Sequence, residues 1–109
     1  MVKTRQEITK IVLSFVEEIQ ALGIEVSQVI LFGSYAKGRP QDYSDIDVAV
    51  VSPEFTKLDI FERQELLSRA HFKLKEPLEP IGLTPNQVRG KQGFARAIVE
   101  SGVTVFRRK

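Results

Sequence analysis

The chain has 109 residues, of which 42% are hydrophobic and 28% charged, with a formal net charge of +2 and no cysteine. That length predicts one domain over residues 1–109 with one core, and the absence of cysteine excludes disulfides and thiolate zinc sites. So mild a charge is too small to argue for nucleic-acid binding through bulk electrostatics, and no run approaches the ~20 apolar residues of a membrane span or resembles a secretory signal; the expectation is a cytoplasmic protein.

Residues 3–22 carry Ile8, Ile11, Val12, Phe15, Ile19 and Leu22 at three- and four-residue steps, the period of an amphipathic helix. Thr4 and Glu7 have capping-box spacing, and Gly23 is a natural stop. This helix is assigned to the core.

Val26 to Phe32 predicts a first strand and Ile46 to Val51 a second. The sequence between them is the most informative in the chain. Gly33-Ser34 follows the apolar run directly, and ten residues separate that pair from Asp45, with Asp47 two further on. Gly33 permits backbone geometry that other residues resist. Ser34 is a good N-cap for a helical turn Ser34–Lys37, and first-turn amides favour phosphate. Lys37 and Arg39 lie in the loop within reach of the same anion, before Pro40 breaks the turn.

In a strand, residues i and i+2 share a face, so Asp45 and Asp47 stand roughly 6.5 to 7 Å apart at Cα. Carboxylates that close raise each other's pKa. A divalent cation relieves the repulsion, and Mg²⁺ takes one or two carboxylates together with substrate phosphates. Each half also has a plain structural reading: an ordinary capped loop, and a solvated strand start. Tyr35 and Tyr43 flank the stretch and either stack on a base or pack.

Asp59 to Lys75 reads as a helix with Phe61, Leu66, Leu67, Ala70 and Leu74 towards the core. His71 is the only histidine and lacks the company a metal site needs. Pro77 to Leu83 is a weak strand, and Pro80 restricts it to a sheet edge or a bulge. Alternation there groups Glu79 with Ile81 and Leu83 on one face. Thr84-Pro85-Asn86-Gln87 has the form of a helix start. A helix at Phe94–Glu100, a stop at Gly102, a strand at Val103–Phe106 and a basic tail complete the chain.

GSYAKGRPQDYSDIDVAV resembles the signature of the DNA polymerase-beta-like nucleotidyltransferase superfamily: Gly-Ser, ten residues, Asp-x-Asp. The short chain is most similar to the minimal nucleotidyltransferase (MNT) family, prokaryotic proteins often encoded beside a HEPN-domain partner. The resemblance implies an α/β (α+β) fold, a mixed and mostly antiparallel sheet of three to five strands with helices on one face. It implies two Mg²⁺ ions held by Asp45 and Asp47, with Glu79 as the third carboxylate where the superfamily usually has Asp. It also implies ATP as substrate, its phosphates held by Gly33 and Ser34 with Lys37 and Arg39 close by. The expected activity is transfer of a nucleoside monophosphate, AMP in the first instance, to a hydroxyl such as a tyrosine of a HEPN-type toxin, making the chain an antitoxin. The alternative is a binding module that neutralises a HEPN partner without chemistry. The sequence leaves base preference, acceptor and homo- or hetero-oligomeric state open.

Overall fold

The structure, a computed structural model, describes residues 2–108. Helix α1 spans Arg5–Ala21 behind a complete Thr4/Glu7 capping box, and buries Ile8, Val12, Phe15, Val16 and Ile19. It ends at Gly23, whose φ of 86° lies in the left-handed region. Strand β1 (Gln28–Phe32) leads into a four-residue turn α2 (Gly33–Ala36), and β2 (Ile46–Val51) follows after the loop.

A 3-10 helix at Pro53–Lys57, capped by Ser52, carries Phe55 into the core; the sequence reading did not anticipate it. Helix α3 is Ile60–Phe72, β3 Leu78–Leu83, α4 Pro85–Gly90, α5 Ala95–Ser101 and β4 Val103–Arg107. Asp59 and Glu62 cap α3 reciprocally, as Thr84 and Gln87 cap α4.

The sheet has four strands in the order β3-β2-β1-β4. β1 pairs antiparallel with both β2 and β4, while β2 and β3 run parallel. The expected mixed, mostly antiparallel sheet is therefore present, and β3 is an edge as Pro80 requires. The carbonyls of Pro77 and Leu83 accept from Ile46 and Ser52. Alternation then turns the Pro80 nitrogen outward, where no donor is missed.

Two expectations are corrected. Helices cover both faces of the sheet, not one. Val29, Leu31, Val48 and Val50 pack with α1 and α3 residues, whereas Ile30, Ala49 and Val51 pack with Ala95 and Ile98 of α5. The reason lies in β2, where Val48 to Val51 are all buried: an unbroken apolar run needs cover on both sides. Phe61 is not in the core but 82% exposed. It lies nine residues from buried Ala70, about two and a half turns, which places it on the opposite side of α3.

Gly102 seats α5 on the sheet. A Cβ there would run into the Ile98 carbonyl and the Ile30 side chain.

Candidate active site

Phe32, the last residue of β1, is the register partner of Asp47, so the turn that follows begins beside that carboxylate. Gly33 has φ 74°, in the left-handed region. A Cβ on it would collide with the Asp47 carboxyl group. Glycine is thus required twice, by the backbone bend and by the closeness of the acid.

Ser34 is not the N-cap that the sequence suggested. The cap position falls on Phe32, extended at φ −137° and ψ −172°, and no side chain caps the turn. The strand simply bends into α2 without an intervening loop residue. The Ser34 hydroxyl makes no hydrogen bond to any described residue, while the Ser34 carbonyl accepts from the Arg39 amide at 2.9 Å. With four residues, α2 has little macrodipole; it offers first-turn amides, which lack intrahelical partners, and one free hydroxyl.

Tyr35 is buried in the main core, and its hydroxyl accepts from the Lys3 amide at 3.2 Å. It packs. Tyr43 is 82% exposed and stays open to solvent. Lys37 and Arg39 are exposed on the loop after α2, and neither side chain forms an ion pair with a described residue.

Asp45 lies one residue before β2 and is exposed; Asp47 is half-buried within it. Their neighbours Ile46 and Val48 point into the main core, so Asp47 faces the other side of the sheet. The parallel register sets Glu79 directly beside Asp47, on strands about 4.8 Å apart. Burial pushes the Asp47 carboxyl above its ordinary pKa, and the nearby Glu79 and Asp45 charges push it further.

The donor set suits a hard cation: two carboxylates on adjacent strands and a third one residue before β2, with the ionised form of Asp47 disfavoured until a cation arrives. Gly33 leaves the space over Asp47 that a side chain would fill. As the side chains stand, no three His, Cys, Asp or Glu among the described residues are drawn together as a ready metal group. His71 is elsewhere. Its Nε2 lies 2.7 Å from the Glu76 carbonyl and its ring packs edge-on to Phe15.

A Gly-Ser turn against a strand-borne acid pair, on a mixed sheet, defines a protein of the nucleotidyltransferase kind. The nucleotidyltransferase domain family matches residues 9–105, and the chain belongs to that family. No curated protein sequence matches it. Among solved structures, it is similar to a "putative nucleotidyltransferase" from Sulfolobus solfataricus, with 24% identity, 95% of this chain and 84% of that one covered, and a TM-score of 0.71. It is also similar to a toxin–antitoxin complex with AMP-PNP (20% identity, 87% and 73% covered, TM-score 0.53). A third likeness is to a complex of the tri-AMPylated Shewanella oneidensis HEPN toxin with MNT antitoxin (18% identity, 96% and 74% covered, TM-score 0.53). At these identities the structures speak to the fold. No helix among the described residues is long and apolar enough to cross a membrane.

Proposed function

We propose that this nucleotidyltransferase is an antitoxin of the MNT kind. In this reading it transfers a nucleoside monophosphate, AMP in the first instance, from a nucleoside triphosphate to a tyrosine hydroxyl of a HEPN-type toxin in the cytoplasm. The observation that carries the reading is Asp47, which lies against the Gly33 turn, with Glu79 as its register partner and Asp45 two residues away. Support for the partner comes from the MNT–HEPN complexes that share the fold, one of them with an AMPylated toxin.

Asp45, Asp47 and Glu79 would hold two Mg²⁺ ions, which supply charge neutralisation on the triphosphate and acidify the acceptor hydroxyl. The chain's own residues do the rest. The Ser34 hydroxyl and the Gly33 and Ser34 amides hold the β- and γ-phosphates, and Lys37 and Arg39 balance their charge. The acceptor oxygen attacks the α-phosphorus and forms a new P–O bond. The bond to the bridging α,β-oxygen breaks, pyrophosphate leaves, and the acceptor proton passes to Glu79. Alignment and neutralisation carry most of the rate enhancement.

The test is incubation of the purified protein with ATP labelled at the α-phosphate, Mg²⁺ and the product of the neighbouring gene. Covalent label on the partner is expected, together with loss of toxicity. A stable complex that blocks toxicity with no label would establish the binding-module alternative and overturn the transfer reading.

A further inference from the structure

A groove of about 710 Å³ opens at the end of the sheet away from the carboxylates. It lies around Gln28 and Val51, which pair at one end of β1, whereas Phe32 and Asp47 pair at the other. Four residue steps along β1 separate the two ends, roughly 13 Å, and the groove extends from its end as far as Ile30. Ile30, Val51, Val88 and Val99 line it with apolar surface, and Arg89, Arg107 and Arg108 line it with charge.

No acidic residue lines the groove. Three of the chain's sixteen basic residues stand here and none of its fourteen acids, so the rest of the chain is close to neutral. Arg108 is held by Glu25 at 2.8 Å. The Arg89 guanidinium donates to the Asn86 side chain, a neutral acceptor. The Arg107 guanidinium has no ion-pair or hydrogen-bond partner among the described residues. Gln28 Nε2 donates to Thr104 Oγ1 at 2.8 Å, which leaves the Thr104 hydroxyl proton free to point into the groove.

Charges on an edge strand such as β4 also discourage sheet-to-sheet pairing. That accounts for Arg107 and Arg108 but not for Arg89, which comes from α4, and not for an apolar floor. Pockets of about 300–1,000 Å³ with an apolar lining and a few convergent polar groups are the usual form of small-molecule sites, and guanidinium forks match phosphate oxygens.

We propose that this groove is a second ligand site, taking an organic phosphate monoester whose apolar body rests on the floor residues and whose phosphate sits between Arg89 and Arg107. It is separate from the nucleotidyl-transfer site and does not depend on that activity.

The experiment follows the methyl resonances of Val88 and Val99 in the full chain during titration with phenyl phosphate, methyl phosphate and inorganic phosphate. It is done in EDTA and on the Asp47→Asn background, so that the transfer site does not answer. Phenyl phosphate should shift these methyls and bind more tightly than methyl or inorganic phosphate. The double variant Arg89→Gln with Arg107→Gln, both exposed positions, should weaken phenyl phosphate about tenfold or more. The same double variant with Asp47 intact should leave labelled transfer unchanged. Absent methyl shifts at millimolar phenyl phosphate, equal affinity for all three probes, or unchanged affinity in the double variant would each overturn the proposal.

Discussion

At the scale of single residues the proposed active site turns on three side chains whose surroundings differ. The Ser34 side chain has neither a cap role nor a hydrogen-bond partner among the described residues. Its replacement should therefore separate binding from folding. Ser34→Ala should change stability by no more than about 0.5 kcal/mol yet weaken triphosphate binding by about 1 to 3 kcal/mol, the range for hydrogen bonds to a charged group. Calorimetry beside thermal melting reads both, and unchanged ATP affinity would remove Ser34 from the site. Asp47 has its pKa raised by burial and by Glu79 and Asp45. Just above the ordinary carboxylate pKa, the folded state then holds more protons than the unfolded chain. The residue's contribution to stability falls as pH rises through that window, and the ionised form opposes folding at neutral pH. Asp47→Asn should raise the melting temperature of the metal-free protein at pH 7, with a smaller gain at pH 4, and should abolish the Mg²⁺ dependence of ATP binding. A lower melting temperature at pH 7 would contradict this account. Glu79 is exposed, so Glu79→Gln should fold normally and retain most ATP affinity. It should slow single-turnover transfer by about a hundredfold or more; a rate within a few-fold of the parent would make Glu79 a bystander.

At the scale of elements, α3 shows how little periodicity says about a helix's ends. Leu67 and Ala70 face the core, and Leu66 and Leu74 pack partly against it, while Phe61 and Phe72 point out at 82% and 90% exposure. The large aromatic that fills the core nearby is Phe55, fully buried in the 3-10 helix and stacked under Arg63. Arg63 in turn bonds the Phe55, Leu58 and Gly82 carbonyls, and so ties the 3-10 helix and α3 to β3. Phe61→Gln should leave stability within about 0.5 kcal/mol of the parent, whereas Phe55→Ala should lose about 3 to 5 kcal/mol. Denaturant titration of the two variants decides it, and a large loss in Phe61→Gln would return that side chain to the core.

At the scale of the whole molecule, the sheet divides the core into two unequal parts. The larger lies under α1 and α3 and the smaller under α5. Asp47 and Glu79 stand on the smaller side, at the sheet end where the turn after β1 begins. The smaller core is integral to stability, and Ile98→Ala should cost about 2 to 5 kcal/mol. An unchanged unfolding midpoint would mean that α5 is dispensable to the sheet.

The sequence by itself determined the local pattern: the Gly-Ser turn, the acid pair after ten intervening residues, the reciprocal caps at Thr4/Glu7 and Thr84/Gln87, and the restriction of β3 by Pro80 to a sheet edge or a bulge. Each depends on residues close together in the chain, where spacing and backbone preference are decisive. Only the tertiary structure set Glu79 beside Asp47, since parallel pairing between β2 and β3 joins residues 32 positions apart. It also released Ser34 from capping, because the bend follows the strand without a spare residue, and it supplied α5 as cover for the second face of β2. A buried strand's apolar run states that both sides need cover, but not which helix provides it; that is fixed by how the connections pack, down to a glycine at 102 that lets α5 close onto β1.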